Sequence, residues 1–197
     1  MVTVQRLRAL AWTAVLGVAL VACQTAVRPP GFQPISFADK PPLNLDVGRV
    51  DVVRVYVPPG KSPNVEHEFP VDLMVSAERW ARDRLRPVGV GGQARFIIKQ
   101  ASVVEVPLAR SSGIRGALTT EQSERYDGVM EIEIEVIHND GRRGMVASRT
   151  NRSRTVPENV SLQERETVWY QMTETMMREL DASLERQMRE HLASLLR

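Results

Sequence analysis

Residues 126–155 read YDGVMEIEIEVIHNDGRRGMVASRTNRSRT, and this stretch decides the fold. Met130, Ile132, Ile134 and Val136 alternate with Glu131, Glu133 and Glu135. That period of two belongs to a strand with one buried face and one wet face. Asn139, Asp140 and Gly141 follow, residues that tolerate the positive φ of a tight turn. A return strand over 143–155 therefore pairs back on the first. With Asp140-Gly141 as a two-residue turn, Val146, Ser148 and Thr150 fall opposite Glu135, Glu133 and Glu131, and Arg152 and Arg154 continue along the wet face.

Toward the C-terminus, Ser161 and Glu164 form a Ser-x-x-Glu capping pattern. Behind it, Leu162, Trp169, Met172, Met176, Leu180, Leu184, Met188, Leu192 and Leu195 trace one helical stripe to the chain end. Roughly 35 residues at about 1.5 Å each make a rod near 50 Å. A strand of ordinary length spans about 20 Å, so the helix is expected to project or bend unless something covers it. The helix methionines read mostly as core filling; Met177 lies off the stripe and is the better candidate for a partner contact, a role suited to an adaptable thioether.

Toward the N-terminus, Gln93 to Val106 reads as a strand that Pro107 stops. Met74, Ala77, Ala81, Leu85 and Val88 form the stripe of a helix starting near Pro70 and ending at Pro87 and Gly89. Arg49 to Val57 is rich in valine and reads as a strand closed by Pro58-Pro59-Gly60. Residues 108–123 are small and polar, and read mainly as loop. The order is strand, helix, strands, helix. It implies an α+β two-layer sandwich, a mostly antiparallel sheet with helices on one face and a long C-terminal helix.

The first residues carry a different message. Arg6 and Arg8 precede an apolar run, Ala9 to Ala22, that ends at Cys23. A basic start, a short apolar core and small residues at its end make a secretory signal, and the run is short for a bilayer span. Residues 1–22 are read as signal peptide, residues 23–47 as a tether rich in proline, and residues 48–197 as one domain. Phe32, Ile35, Phe37 and Leu43 are candidates for docking the end of that tether on the domain. Leu20-Val21-Ala22-Cys23 resembles the lipobox of bacterial lipoproteins. The resemblance implies that the Cys23 thiol carries diacylglycerol, that the new amino end is acylated, and that the body lies in the periplasm. Gln24, in place of an Asp, implies sorting to the outer membrane. The element order also resembles two groups of small periplasmic lipoproteins: the lipopolysaccharide-assembly lipoprotein and the auxiliary lipoprotein of lipid-transport ABC systems.

The chain has 26 basic and 24 acidic residues and a single cysteine. Removing Arg6 and Arg8 with the signal leaves the side-chain charge balanced, so nothing global steers the protein to nucleic acid. With Cys23 lipidated, no thiol or disulfide remains in the body.

Catalytic patterns are sparse. His67, His138 and His191 stand without a second ligand at metal spacing. His67 with Glu66 and Glu68 is the best local cluster, and it reads as a solvated loop. Ser111-Ser112-Gly113 lacks the context of a nucleophile elbow, and Gly89, Gly91 and Gly92 do not precede a phosphate-binding Lys-Ser/Thr pair. No enzyme activity and no cofactor are expected. Arg142, Arg143, Arg149, Arg152 and Arg154 form the densest basic group. Guanidinium groups bind phosphate bidentately, so these residues are candidates for lipid phosphates; the competing role is cross-strand pairing with the glutamates. The expected function is an accessory or scaffold subunit in envelope biogenesis or lipid transport, anchored by lipid and held to an envelope protein. The alternative is a module that carries a lipid or glycolipid between sheet and helices.

Overall fold

The computed structural model describes residues 31–109 and 122–197. Cys23, the signal and the Ser111-Ser112-Gly113 segment lie outside the described residues.

The sheet grows from long strands. β1 (Leu43–Leu45) and β2 (Val50–Arg54) precede helix α1 (Leu73–Arg84), β3 (Leu85–Pro87) and β4 (Gln93–Pro107). Then come β5 (Gln122–Ile137), β6 (Arg143–Pro157) and helix α2 (Leu162–His191). The main sheet runs β2-β4-β5-β6. β2 lies parallel to β4, because the crossover between them contains α1, and the other pairs are antiparallel. β1 and β3 form a second, two-stranded parallel sheet. The protein is thus α+β, with the long C-terminal helix the sequence implies.

Local chemistry explains the element ends. Asp72 caps α1 by accepting from the Val75 amide at 2.8 Å. The helix stops at Arg84 rather than Val88. Pro87 biases its predecessor toward extended backbone, and Leu85–Pro87 pair with β1 instead. Ser161 and Glu164 complete the capping box of α2 in both directions, at 3.3 and 2.9 Å. α2 ends at His191; beyond it Leu196 bridges Leu45, and the Arg197 amide donates to the Asn44 carbonyl.

Three expectations change. The hairpin register is one residue from the two-residue-turn reading: Glu135, Glu133 and Glu131 face Met145, Ala147 and Arg149. The turn has three residues, with the His138 amide bonded to the Arg142 carbonyl at 2.9 Å and the Gly141 amide to the His138 carbonyl at 3.1 Å. A two-residue type I′ turn needs positive φ at both central residues. Here only Gly141 takes it, at 91°. A one-residue slip moves every side chain to the other face. Val146, Ser148 and Thr150 therefore sit opposite Ile134, Ile132 and Met130 on the helix side, and Arg152 and Arg154 share that side.

Second, most of α2 lies over the sheet, and only its first two turns, with exposed Leu162, bury no residue. β4, β5 and β6 have 15, 16 and 15 residues. At about 3.4 Å per residue each is near 50 Å, enough to underlie a 30-residue helix along its length. Buried residues accordingly run from Trp169 to Met188.

Third, the docking expected of Phe32, Ile35, Phe37 and Leu43 goes further than the end of the tether, since the compact unit begins at Phe32. Ile35, Phe37, Leu43, Leu45 and Val47 are all buried. Phe32 stacks on Tyr170 at 5.1 Å, and the Phe37 amide donates to Asp83 at 2.8 Å. This strap covers a second side of α2, which widens its buried arc beyond one stripe. Met177 is therefore fully buried in the core and presents no surface to a partner.

The core fills the space between sheet and helices. Trp80 stacks on Phe96 at 5.5 Å, and Trp169 packs between Phe69 at 5.0 Å and Tyr126 at 5.4 Å. At Gly128 a Cβ would collide with Met172 and crowd Met176, so the helix methionines rest directly on the strand backbone. A bulge at Lys99, between Ile98 and Gln100, keeps Ala94, Phe96, Ile98, Ala101 and Val103 on the helix side despite their uneven spacing.

Candidate functional site

Four gatherings of polar side chains among the described residues bear on a candidate site. The first is the wet face of the sheet. Arg95 pairs with Glu135 at 2.9 Å, Lys99 with Glu133 at 3.9 Å and Arg149 with Glu131 at 2.6 Å. The glutamate row is thus matched, carboxylate by carboxylate, by cations on the flanking strands.

The second place is the hairpin tip. Arg142 donates to Asp140 at 2.6 Å, to Asp46 at 3.1 Å and to the Ser194 carbonyl. Arg197 also reaches Asp46, at 2.8 Å, and His138 Nδ1 lies 2.8 Å from Asp140. The backbone amide of Arg142, then its guanidinium, hold the Asp140 carboxyl well below the usual range. This knot ties the hairpin to β1 and to the C-terminus.

The third place is buried. Asp181 of α2 accepts from Trp80 Nε1 at 2.8 Å and from Arg84 Nε at 2.9 Å, and pairs with Lys40. The Arg84 guanidinium also bonds Glu185 and the Pro41 carbonyl. Both Arg84 and Asp181 are fully buried. Strap, α1 and α2 meet at this one junction.

At the fourth place, Glu66 is buried, correcting the solvated-loop reading. It accepts from Tyr56 at 2.7 Å, from Asn64 at 3.2 Å and from the Val103 amide at 3.1 Å. Burial, then the bond to Glu66, push the Tyr56 hydroxyl well above its ordinary pKa. His67 stays exposed, 3.8 Å from Glu68. No group of His, Cys, Asp or Glu among the described residues is arranged to hold a metal.

The five candidate arginines do not converge. Arg142 is committed to the hairpin knot. Arg149 pairs on the wet face, and Arg152 pairs with Glu179 of α2 on the helix side. Arg143 and Arg154 have no carboxylate partner among the described residues. Arg143 lines an open depression of about 510 Å³ with Arg95, Glu135, Ile137 and Met145. Ile137 and Met145 are half exposed there. Sequence reading missed Arg84, Asp181 and Asp46. The available signal was a charge at a stripe position: Arg84 follows Ala77, Trp80 and Ala81 at helical spacing, and Asp181 adjoins Leu180 between stripe residues.

No described helix is long and apolar enough to cross a membrane. No family model matches the chain, and no curated protein matches it. Solved structures share a distant likeness. Rare lipoprotein B from Shewanella oneidensis is 13% identical over 73% of this chain and 96% of its own, with a TM-score of 0.37. An uncharacterized lipoprotein B from Nitrosomonas europaea is 16% identical over 76% and 86%, with a TM-score of 0.35. A Xanthomonas campestris protein of the DUF330 family is 9% identical over 76% and 90%, with a TM-score of 0.33. Two of these three are lipoproteins by name, and likeness at these scores assigns no family and no function.

Proposed function

We propose that the chain is lipidated at Cys23 and acts, without catalysis, as an accessory or scaffold subunit of the outer membrane's periplasmic face. The observation that carries this reading is the strap. The compact body starts at Phe32, so only eight residues separate it from Cys23. Fully extended, that interval reaches about 30 Å. A lipid on Cys23 would therefore keep the body within that reach of the headgroups. Acyl chains add about 0.8 kcal/mol of membrane affinity per buried methylene, and several chains together anchor stably. A packed body offering a broad sheet face suits a role in which surfaces, rather than a cleft, do the work.

Metabolic labelling with radioactive palmitate in the native host tests the anchor. Label on the wild type and none on Cys23→Ser is expected; an unlabelled wild type overturns the reading. Cross-linking in intact cells, followed by purification in detergent, should recover an envelope protein in fixed proportion. Recovery of the free monomer alone removes the scaffold role.

One observation favours a second reading, a lipid-binding module. The depression beside Arg143 joins two arginines to exposed Ile137 and Met145, as a headgroup and an acyl chain together would require. The packed interior turns this alternative outward: the lipid would lie on the sheet's open face, not between sheet and helices. Native mass spectrometry of the Cys23→Ser protein should then find lipid that Arg143→Glu loses.

A further inference from the structure

We infer that the outer edge of β6 docks an extended, acidic segment of another protein, which joins the sheet as a fifth strand beside residues 149–155. The inference rests on the accessory-subunit reading and names the surface such a subunit would use.

β6 closes the sheet order, so one flank has no strand beside it among the described residues. The register says which groups that flank presents. His138 and Arg142 form a hydrogen-bonded pair at the turn, so the even residues of β6 bond to β5 and the odd residues turn their N–H and C=O outward. α2 touches this flank at one carbonyl: Gln187 Nε2 donates to Ala147 O at 2.8 Å. Beyond Ala147, the outward groups of Arg149, Asn151, Ser153 and Thr155 have no backbone partner among the described residues. The Ser153 carbonyl is met only by the exposed Arg154 side chain. This free run has the length of an ordinary strand. No proline interrupts β6 before Pro157, and its pairing with β5 is regular from Arg143 to Val156. Natural sheets blunt such an edge with a proline, a bulge, a covering segment or charged side chains, and β6 has only the last, arginines that repel a like-charged edge and leave the backbone open to an acidic one.

Charge selects the occupant. β6 carries Arg143, Arg149, Arg152 and Arg154 and no acidic residue. A second copy laid antiparallel with its two-fold at residue 149, 152 or 153 would set arginine against arginine, and other registers would still bring together two edges that carry arginine and no acidic residue. An acidic strand meets the opposite condition. Its main chain would bond the outward amides, and its carboxylates would reach Arg154, which has no carboxylate partner among the described residues, and would share Arg149 with Glu131 and Arg152 with Glu179.

The test uses the full-length protein, purified in detergent, and a synthetic peptide alternating Glu and Val. Expected results are saturable binding, slowed hydrogen exchange at the amides of Arg149, Asn151, Ser153 and Thr155, and at least about tenfold weaker binding for a Lys-for-Glu twin peptide. Asn151→Pro removes an outward amide that β5 does not use. It should keep the thermal midpoint near wild type and weaken the peptide at least about tenfold. If Asn151→Pro unfolds the protein, N-methylating alternate peptide residues puts the same question from the other side, with loss of binding expected. Binding that survives N-methylation, no binding at all, or an edge-dependent homodimer would each overturn the inference. In cells, a palmitate-labelled Asn151→Pro protein that still captures its envelope partner would sink the edge and leave the anchored-subunit reading standing.

Discussion

The two faces of one sheet use the same arginine–carboxylate contact in opposite settings. On the helix side, Arg84 and Asp181 have side chains 1% and 0% exposed. On the wet side, Arg149 and Glu131 are 51% and 32% exposed. The buried contact gathers an indole, a second carboxylate, a lysine and a backbone carbonyl, so every charge it holds is matched. The exposed contact is one rung of a ladder, with water as its alternative partner. Burial makes a charged contact hard to break without making it a large net gain, whereas solvent makes one nearly optional. The helix side therefore specifies how strap and helices assemble, and the wet side keeps a charged surface soluble and available.

Removing one buried partner should break the comparison most visibly. Asp181→Ala takes the buried carboxylate from the Arg84 guanidinium, which keeps only Glu185 and the Pro41 carbonyl, and strands the Trp80 indole amide; it should cost about 3–5 kcal/mol in urea unfolding. The double change Arg84→Met with Asp181→Leu should recover most of that loss, because apolar packing can replace a buried pair. If the double variant is no better than the single one, the junction contributes net stability and the contrast needs revision.

Met177→Ala asks whether the strap side of α2 is core. A fully buried methionine truncated to alanine costs about 2–5 kcal/mol, so denaturation should register it clearly. A change within experimental error would return Met177 to the surface.

At the far end of the sheet, pH sharpens the contrast. Burial, then the neighbouring Glu124 charge, raise the Glu105 pKa above its ordinary value. The folded state then binds this proton more tightly than the unfolded state does, so the Glu105 contribution falls as pH rises from the ordinary carboxylate value through the raised one. Glu105→Gln should flatten that part of the stability profile and raise stability at neutral pH. An unchanged profile would place Glu105 in solvent.

The smallest effect belongs to the wet face. Arg149→Ala should cost no more than about 1 kcal/mol, and salt should shrink even that. A larger, salt-resistant loss would mean that something dry covers this face.

Much of the architecture was legible in the residues. The glutamate alternation of β5 and the capping box of α2 depend on neighbours one to four positions away, and both appear where the pattern puts them. The candidate arginines were legible as a group but not as a site. Their distribution hangs on the hairpin register, which Gly141 sets by taking positive φ alone, and that single residue of difference sends Arg152 and Arg154 to the opposite face. The length of the sheet was likewise hidden, because ordinary strand lengths gave no cause to stretch β4, β5 and β6 under most of α2.

By itself, then, the sequence determined the types of the longer elements, β2, α1, β4, β5, β6 and α2, with the buried face of β5 and the start of the long helix, since backbone periodicity and local hydrogen bonds encode them. Only the tertiary structure decided that residues 32–47 belong to the body, that Met177 is core, and that Arg84 meets Asp181. Those outcomes depend on segments tens of residues apart excluding water from the same space, and no local pattern records which distant surface will close over a side chain.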